Sequence, residues 1–313
     1  EQDRAQVGVA VEVDAVHVVA LTLHERGRAV EGDQRVDTRI VIGHPRLQAH
    51  AQAVRRGVEM VHDLEARRLR GPVDGGDVEK EVEADLLFQP GSGFVNAPRG
   101  LVEAYFQGAL QRQARFVQES VSEITLPPAG GVAIRTATAT HPFDKAVVAT
   151  GAWSRQFATQ LGDTVCLDTE RGYHLSLKSN GSPLLTRPVG FPAQDCVISP
   201  MQDGIAVYSG DELAGLHAAP DFRRIRTLLP FVHKVLPATS AQPVQREWMG
   251  YRPSTPDSLP VIGPSARTRN VIYAFGHGHL GLTLSAITAE LVKAIVNDDT
   301  PPFDLTPYRI NRF

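Results

Sequence analysis

Apolar positions recur along this chain at two spacings, and each spacing predicts a different element. In "VGVAVEVDAVHVVALTL", residues 7–23, apolar and polar residues alternate, which predicts one or two strands. "HPRLQAHAQAVRRGVEMVHDLEARRL", residues 44–69, carries helical spacing instead. Further on, Leu101, Val102, Tyr105, Phe106 and Leu110 share one face of a helix predicted over 98–113, with Asn96 as its N-cap and Pro98 at an early helical position. Residues 114–154 then read as short strands joined by a Pro/Gly turn, ending in the apolar strand "KAVVAT" and Gly151. A strand that stops at a glycine exposes its backbone to a ligand.

From 166 to 244 the pattern returns to period two. "YHLSLK", "CVISPM" and "GIAVYSG" predict strands between Pro and Gly turns, and "DFRRIRTLLPFVHKVLP" predicts one amphipathic helix. This stretch is expected to be a sheet-rich second domain. The last part, from Glu247 to Val296, goes back to strand, glycine loop and long helix, and the sequence holds no internal repeat or low-complexity tract.

Composition narrows the classes. At 313 residues the chain holds one large or two ordinary domains, and an apolar fraction of 42% is that of a soluble globular protein. The formal charge of -3 argues against nucleic acid as a partner, because duplex binding needs clustered Lys and Arg to displace counterions. The most apolar early stretch carries Glu12, Asp14 and His17, so it is neither a membrane span nor a signal peptide with a basic start. Cys166 and Cys196 are too few for a disulfide framework or a structural zinc site, which favours a reducing, cytoplasmic compartment and predicts two plain buried thiols. Residues 1–87 contain no Phe, Tyr or Trp, are rich in Arg and have Lys only at Lys80. The sequence opens on Glu1 instead of Met, and the expectation is that a natural start is missing or has been removed.

Candidate chemistry centres on "FGHGHLGLTLSAITAELVKAIV", residues 275–296, where Gly276, Gly278 and Gly281 match G-x-G-x-x-G. A dinucleotide fingerprint needs a second strand about 20 residues on, bearing a carboxylate for the ribose. Asp298 and Asp299 stand near that distance, but in "NDDTPPFDLTPY", which has no apolar strand to hold them. Three other readings stay open on the loop alone. It is a plain strand-to-helix turn. Or His277 and His279 bind a metal, for which no third ligand stands at a recognisable spacing. Or N–H groups from Gly278 to Thr283 open a helix and point its positive end at a ligand that becomes anionic, such as a reduced flavin.

Three further stretches accompany this loop: "DKAVVATGAWS" at 144–154, "ERGYHLSL" at 170–177 and "WMGYRPSTPDSLPVIGPS" at 248–265. In that order, with "GHGHLGLTLS", they resemble the FAD-dependent D-amino-acid oxidase and dehydrogenase superfamily over residues 85–313, nearest the D-amino-acid and D-hydroxyproline dehydrogenase branch. The resemblance implies an α/β (α+β mixed) protein. An incomplete Rossmann-like FAD-binding domain would take residues 85–165 plus 245–313, an antiparallel-sheet substrate domain residues 166–244, and an atypical segment residues 1–84. It implies cofactor contacts from Thr150, Gly151, Ala152 and Trp153, and from Gly276, His277, Gly278, His279, Leu280, Gly281, Leu282 and Thr283, with Val121 offering backbone groups to the adenine. Arg252, in a G-x-R-P turn, would grip the substrate carboxylate with its guanidinium fork, and Tyr173 and His174 would face the flavin from the sheet domain and bind the substrate at its carboxylate or amine. Two alternatives remain at this point: Arg252 pairs with Asp257 as a surface bridge, or strand alternation buries one of Tyr173 and His174.

The implied reaction is hydride transfer from the α-carbon of a D-amino acid of the proline, hydroxyproline or alanine type to FAD, followed by hydrolysis of the imine. The protein supplies positioning and electrostatics, and no general base is assigned. No metal is implied, the electron acceptor is left unspecified, and association with a membrane surface or a partner subunit stays open. The departure from the family lies at the start, where "VVALTLHERGRAV" is the nearest stretch to the pyrophosphate-binding G-x-G-x-x-G turn and does not supply it. The expectation is therefore that residues 1–84 are not homologous sequence and that the purified chain is colourless or weakly yellow. The alternative is an inactive remnant or a binding subunit that needs a partner to hold FAD.

Overall fold

The computed structural model describes residues 93–178 and 184–313, together with the backbone of two short strands, β1 (Val7–Val9) and β2 (Val18–Val19). Both strands fall within the early alternating stretch. The helix expected in 44–69, and the segment in which the phosphate-binding turn was sought, lie otherwise outside the described residues.

The helix Pro98–Gln111 is followed by β3 (Ala114–Phe116), which pairs with β1 in parallel. Ala97 takes the N-cap position in place of Asn96, whose carbonyl accepts a hydrogen bond from Gln202 N at 3.0 Å. Next comes an antiparallel meander of β4 (Val121–Thr125), β5 (Val132–Thr136) and β6 (Thr140–Phe143). The chain then enters a four-stranded sheet in the order β13 (Val261–Pro264), β14 (Val271–Phe275), β7 (Ala146–Ala149), β2. β7 and β14 run parallel, and their near-continuous apolar runs match strands covered on both faces. Val148, Tyr273 and Phe275 form a core with Phe157 and Ala158 of the helix Ser154–Gln160 and with Ile124 and Ile134 of the meander.

A second core lies under an antiparallel five-stranded sheet in the order β12 (Val244–Ser254), β8 (Asp168–Lys178), β11 (Gly204–Glu212), β10 (Cys196–Met201), β9 (Val189–Phe191). Period-two alternation along β8 buries Thr169, Arg171, Tyr173, Leu175 and Leu177, and the last three pack with Ile198, Ile205 and Val207. Two short helices, Arg223–Arg226 and Leu229–Val235, close that core where one helix was predicted. The break has a local cause: Pro230 has no N–H to donate to the Arg226 carbonyl, and its ring occupies that space. Cys196 is buried, but Cys166 is exposed, contrary to expectation, because it alternates with the buried Val165 and Leu167 in extended chain. Among the described residues no helix is long and apolar enough to cross a membrane.

Candidate functional site

Because β7 and β14 are parallel neighbours, with Val147 opposite Ile272 and Val148 opposite Tyr273, the chain leaves both at the same edge of the sheet. The loops Thr150–Trp153 and Gly276–Thr283 therefore start side by side at strand carboxyl ends, where open α/β sheets bind ligands. Gly276 has φ +83, a conformation that strains any residue with a Cβ. Gly151 has φ +53, and a Cβ added there would meet no atom within 4 Å, so its backbone lies open to approach.

Thr150 is fully buried and shares a 2.9 Å hydrogen bond with the Ser154 hydroxyl, Ala152 is buried, and Trp153 stands edge-on to Tyr251 with ring centroids 5.2 Å apart. In the second loop His277 turns inward, where its Nε2 shares a 3.0 Å hydrogen bond with the Thr288 hydroxyl. Burial lowers its pKa from 6.5 to about 4, so the imidazole is neutral near pH 7. His279, Leu280, Leu282 and Thr283 are exposed. The final helix begins only at Ser285, after a 3-10 turn at Gly278–Leu280. The N–H groups from Gly278 to Thr283 thus belong to the turns ahead of the helix, not to its first turn as predicted.

β12 runs against both loops. Arg252 sits within this extended strand, not in a turn, opposite Glu170 of β8. Its Nη1 donates to the Gly210 carbonyl at 3.0 Å and pairs with the Asp211 carboxylate. The bridge to Asp257 does not form, since Arg312 holds that carboxylate with contacts of 2.8 and 2.9 Å. Among the described residues both bonds of the Arg252 guanidinium leave through Nη1, so the Nε–Nη2 edge is the fork open to an anion. His174 shares this sheet face, with its ring 5.1 Å from Trp248 and 5.4 Å from Tyr208. Burial, then the nearby Arg246, lower its pKa to about 4.

Tyr173 is on the other face. Its hydroxyl donates to Glu212 at 2.5 Å and accepts from Asp221 N at 3.2 Å, and burial followed by the Glu212 contact raises its pKa. The structure therefore brings Arg252 and His174 together and turns Tyr173 into the core. Val121 lies apart in β4, half-buried against the first core.

Sequence reading missed Glu170, Asp211, Tyr208 and Trp248. Period-two spacing in "ERGYH" does place Glu170 with Gly172 and His174, but pairing with β11 is needed to add Asp211 and Tyr208. His279 Nε2 lies 3.4 Å from Asp211 and its Nδ1 3.9 Å from Glu170, so the glycine loop touches the face that carries Arg252. Glu170, Asp211 and His279 have donor atoms within 4.8 Å of one another, while His277 is engaged elsewhere, so the two loop histidines do not form a common ligand set.

A family model described as FAD dependent oxidoreductase matches residues 19–295. The match opens well before residue 85, so much of the segment expected to be unrelated falls inside it. A D-amino-acid oxidase of Bradyrhizobium diazoefficiens is 34% identical over 225 residues, which cover 71% of this chain and 53% of that protein. A D-amino acid dehydrogenase of Neisseria gonorrhoeae is 33% identical over 168 residues, 53% of this chain and 39% of the relative. The chain spans about half the length of the first of these curated relatives, and less of the second. Glycine oxidase from Geobacillus kaustophilus has the same fold over 68% of this chain and 57% of its own, with a TM-score of 0.62 at 24% identity.

Proposed function

The chain belongs to the family of FAD dependent oxidoreductases, and from that premise we propose that it oxidises the α-carbon–nitrogen bond of a D-amino acid of the proline, hydroxyproline or alanine type. The observation that carries this reading is the meeting of the Gly276–Thr283 loop with the sheet face of Arg252, through His279 and Asp211. The residues present suit a flat cofactor: two glycine loops at adjacent parallel strand ends, open backbone at Gly151, and exposed apolar Leu280 and Leu282. When bound, FAD supplies the acceptor for the hydride that leaves the α-carbon, while the amine loses a proton and the resulting imine is hydrolysed in water.

This chain's part is to bind and orient. Arg252 takes the substrate carboxylate on its Nε–Nη2 edge, which turns the α-carbon toward the glycine loops. Glu170 and Asp211 offer acceptors to the amine end. His174 and His277 stay neutral near pH 7, so neither competes with Arg252 for the carboxylate. The five-stranded sheet, with β12 and its Arg252 as a member, serves as the substrate domain, and the loops at the ends of β7 and β14 serve the cofactor.

The test is turnover of D-proline and D-alanine with added FAD and an artificial electron acceptor. Arg252→Ala is expected to raise KM roughly tenfold to a hundredfold, the size of one charge-assisted hydrogen-bond pair, with a smaller loss in kcat. An unchanged KM in that variant, or no turnover of either amino acid by FAD-loaded wild-type protein, overturns the reading.

A further inference from the structure

We propose that Gly172 is a positioning residue that seats the Arg252 guanidinium on the sheet; the proposal rests on the reading of Arg252 as the carboxylate ligand. Gly172 of β8 lies directly opposite Gly250 of β12, two residue pairs from Arg252 opposite Glu170, and so on the same sheet face, with the pair of Met249 and Tyr173 next to it on the other side. A strand residue on this face would normally raise a side chain from the sheet. Here the guanidinium lies where that side chain would begin: a Cβ on Gly172 would stand under 3.0 Å from Nη2, Cζ and Nη1 of Arg252. Gly250 does the same for Trp248, whose indole overlies it. The two glycines thus leave a bare patch on which a guanidinium and an indole lie flat.

Gly172 has no left-handed φ, so its backbone does not call for glycine; the Arg252 head does. That head is fixed at Nη1 by the Gly210 carbonyl and Asp211. A methyl group at 172 meets Nη2, a member of the fork left open to a carboxylate. The head must then tilt off the sheet, and the fork loses its aim while the strand keeps its pairing.

Calorimetric titration with propionate, a carboxylate with no amine to oxidise, reads the fork directly. Gly172→Ala is expected to weaken propionate binding about tenfold, and to raise KM for D-alanine by a similar factor, because one misdirected charge-assisted bond is worth that much. D-Alaninamide, which has no carboxylate, is expected to be unaffected. In an Arg252→Ala background the substitution is expected to add nothing, since the two residues act through one contact. Equal effects with and without Arg252, an equal loss on the amide, or no loss at all would each overturn the seat while leaving the Arg252 reading intact. Failure of wild-type protein to bind propionate overturns both. Should Gly172→Ala not fold, recovery of the wild-type melting transition in the double variant supports the seat, and failure of both variants to fold counts against it.

Discussion

His277 and His174 show how burial sets the charge of single residues in this protein. Each has its pKa lowered from 6.5 to about 4, chiefly by desolvation. The folded state then binds fewer protons than the unfolded state between those values, so the stability this represents is complete above pH 6.5 and lost as pH falls toward 4. Asp221 and Asp257, held near 2 by hydrogen bonds from Arg223 and Arg312, act below that window. Urea denaturation at pH 7.5 and at pH 5 is expected to give a lower midpoint at pH 5. Replacing both histidines by Gln, which takes up no proton in this range, is expected to shrink the difference; an equal difference in the double variant would show that other groups cause it. Sequence singled out both histidines as ligand contacts. It could not say that one of them bonds Thr288, because that partner lies on a helix whose docking is a tertiary event.

At the scale of elements, the glycine turn between β4 and β5 is where a single change acts on a whole meander. Gly131 has φ +76, and a Cβ there would stand 2.5 Å from the Phe143 carbonyl oxygen, an atom of the backbone that cannot swing aside. Gly131→Ala is therefore expected to destabilise the protein by about 2 kcal/mol, through backbone strain plus displacement of β6. A urea midpoint within error of wild type would contradict this. The turn itself was legible as "PPAGG", since turn chemistry is local. The break at Pro230 was missed, because the amphipathic spacing on both sides of it masked the effect of one missing N–H. The start of the final helix at Ser285 was less legible, because a 3-10 turn and a helical turn present the same apolar spacing over three or four residues.

For the whole molecule, the question is how firmly the chain holds its cofactor. Residues 1–87 supply no G-x-G-x-x-G turn, and each lost charge-assisted hydrogen bond to a pyrophosphate costs about 1.5 to 3 kcal/mol. The purified chain is expected to carry well under one FAD per protein and to gain flavin fluorescence quenching and turnover when FAD is added. A full complement of FAD on the purified protein would show that other backbone donors do the work of the missing turn. The family match from residue 19 sharpens this test, since it brings that early segment inside the family.

By itself the sequence determined what depends on near neighbours. It marked the strands of period two and the glycines that follow β7 and β14. Those signals are carried by backbone sterics and side-chain periodicity within a few residues. Only the tertiary structure decided which residues meet. Parallel pairing of β7 with β14 set two loops that are distant in sequence at one sheet edge, the register of β8 sent Tyr173 inward and His174 outward, and β11 brought Asp211 to Arg252 in place of Asp257. Register and strand order follow from burying two cores at once, and no local stretch of sequence encodes that.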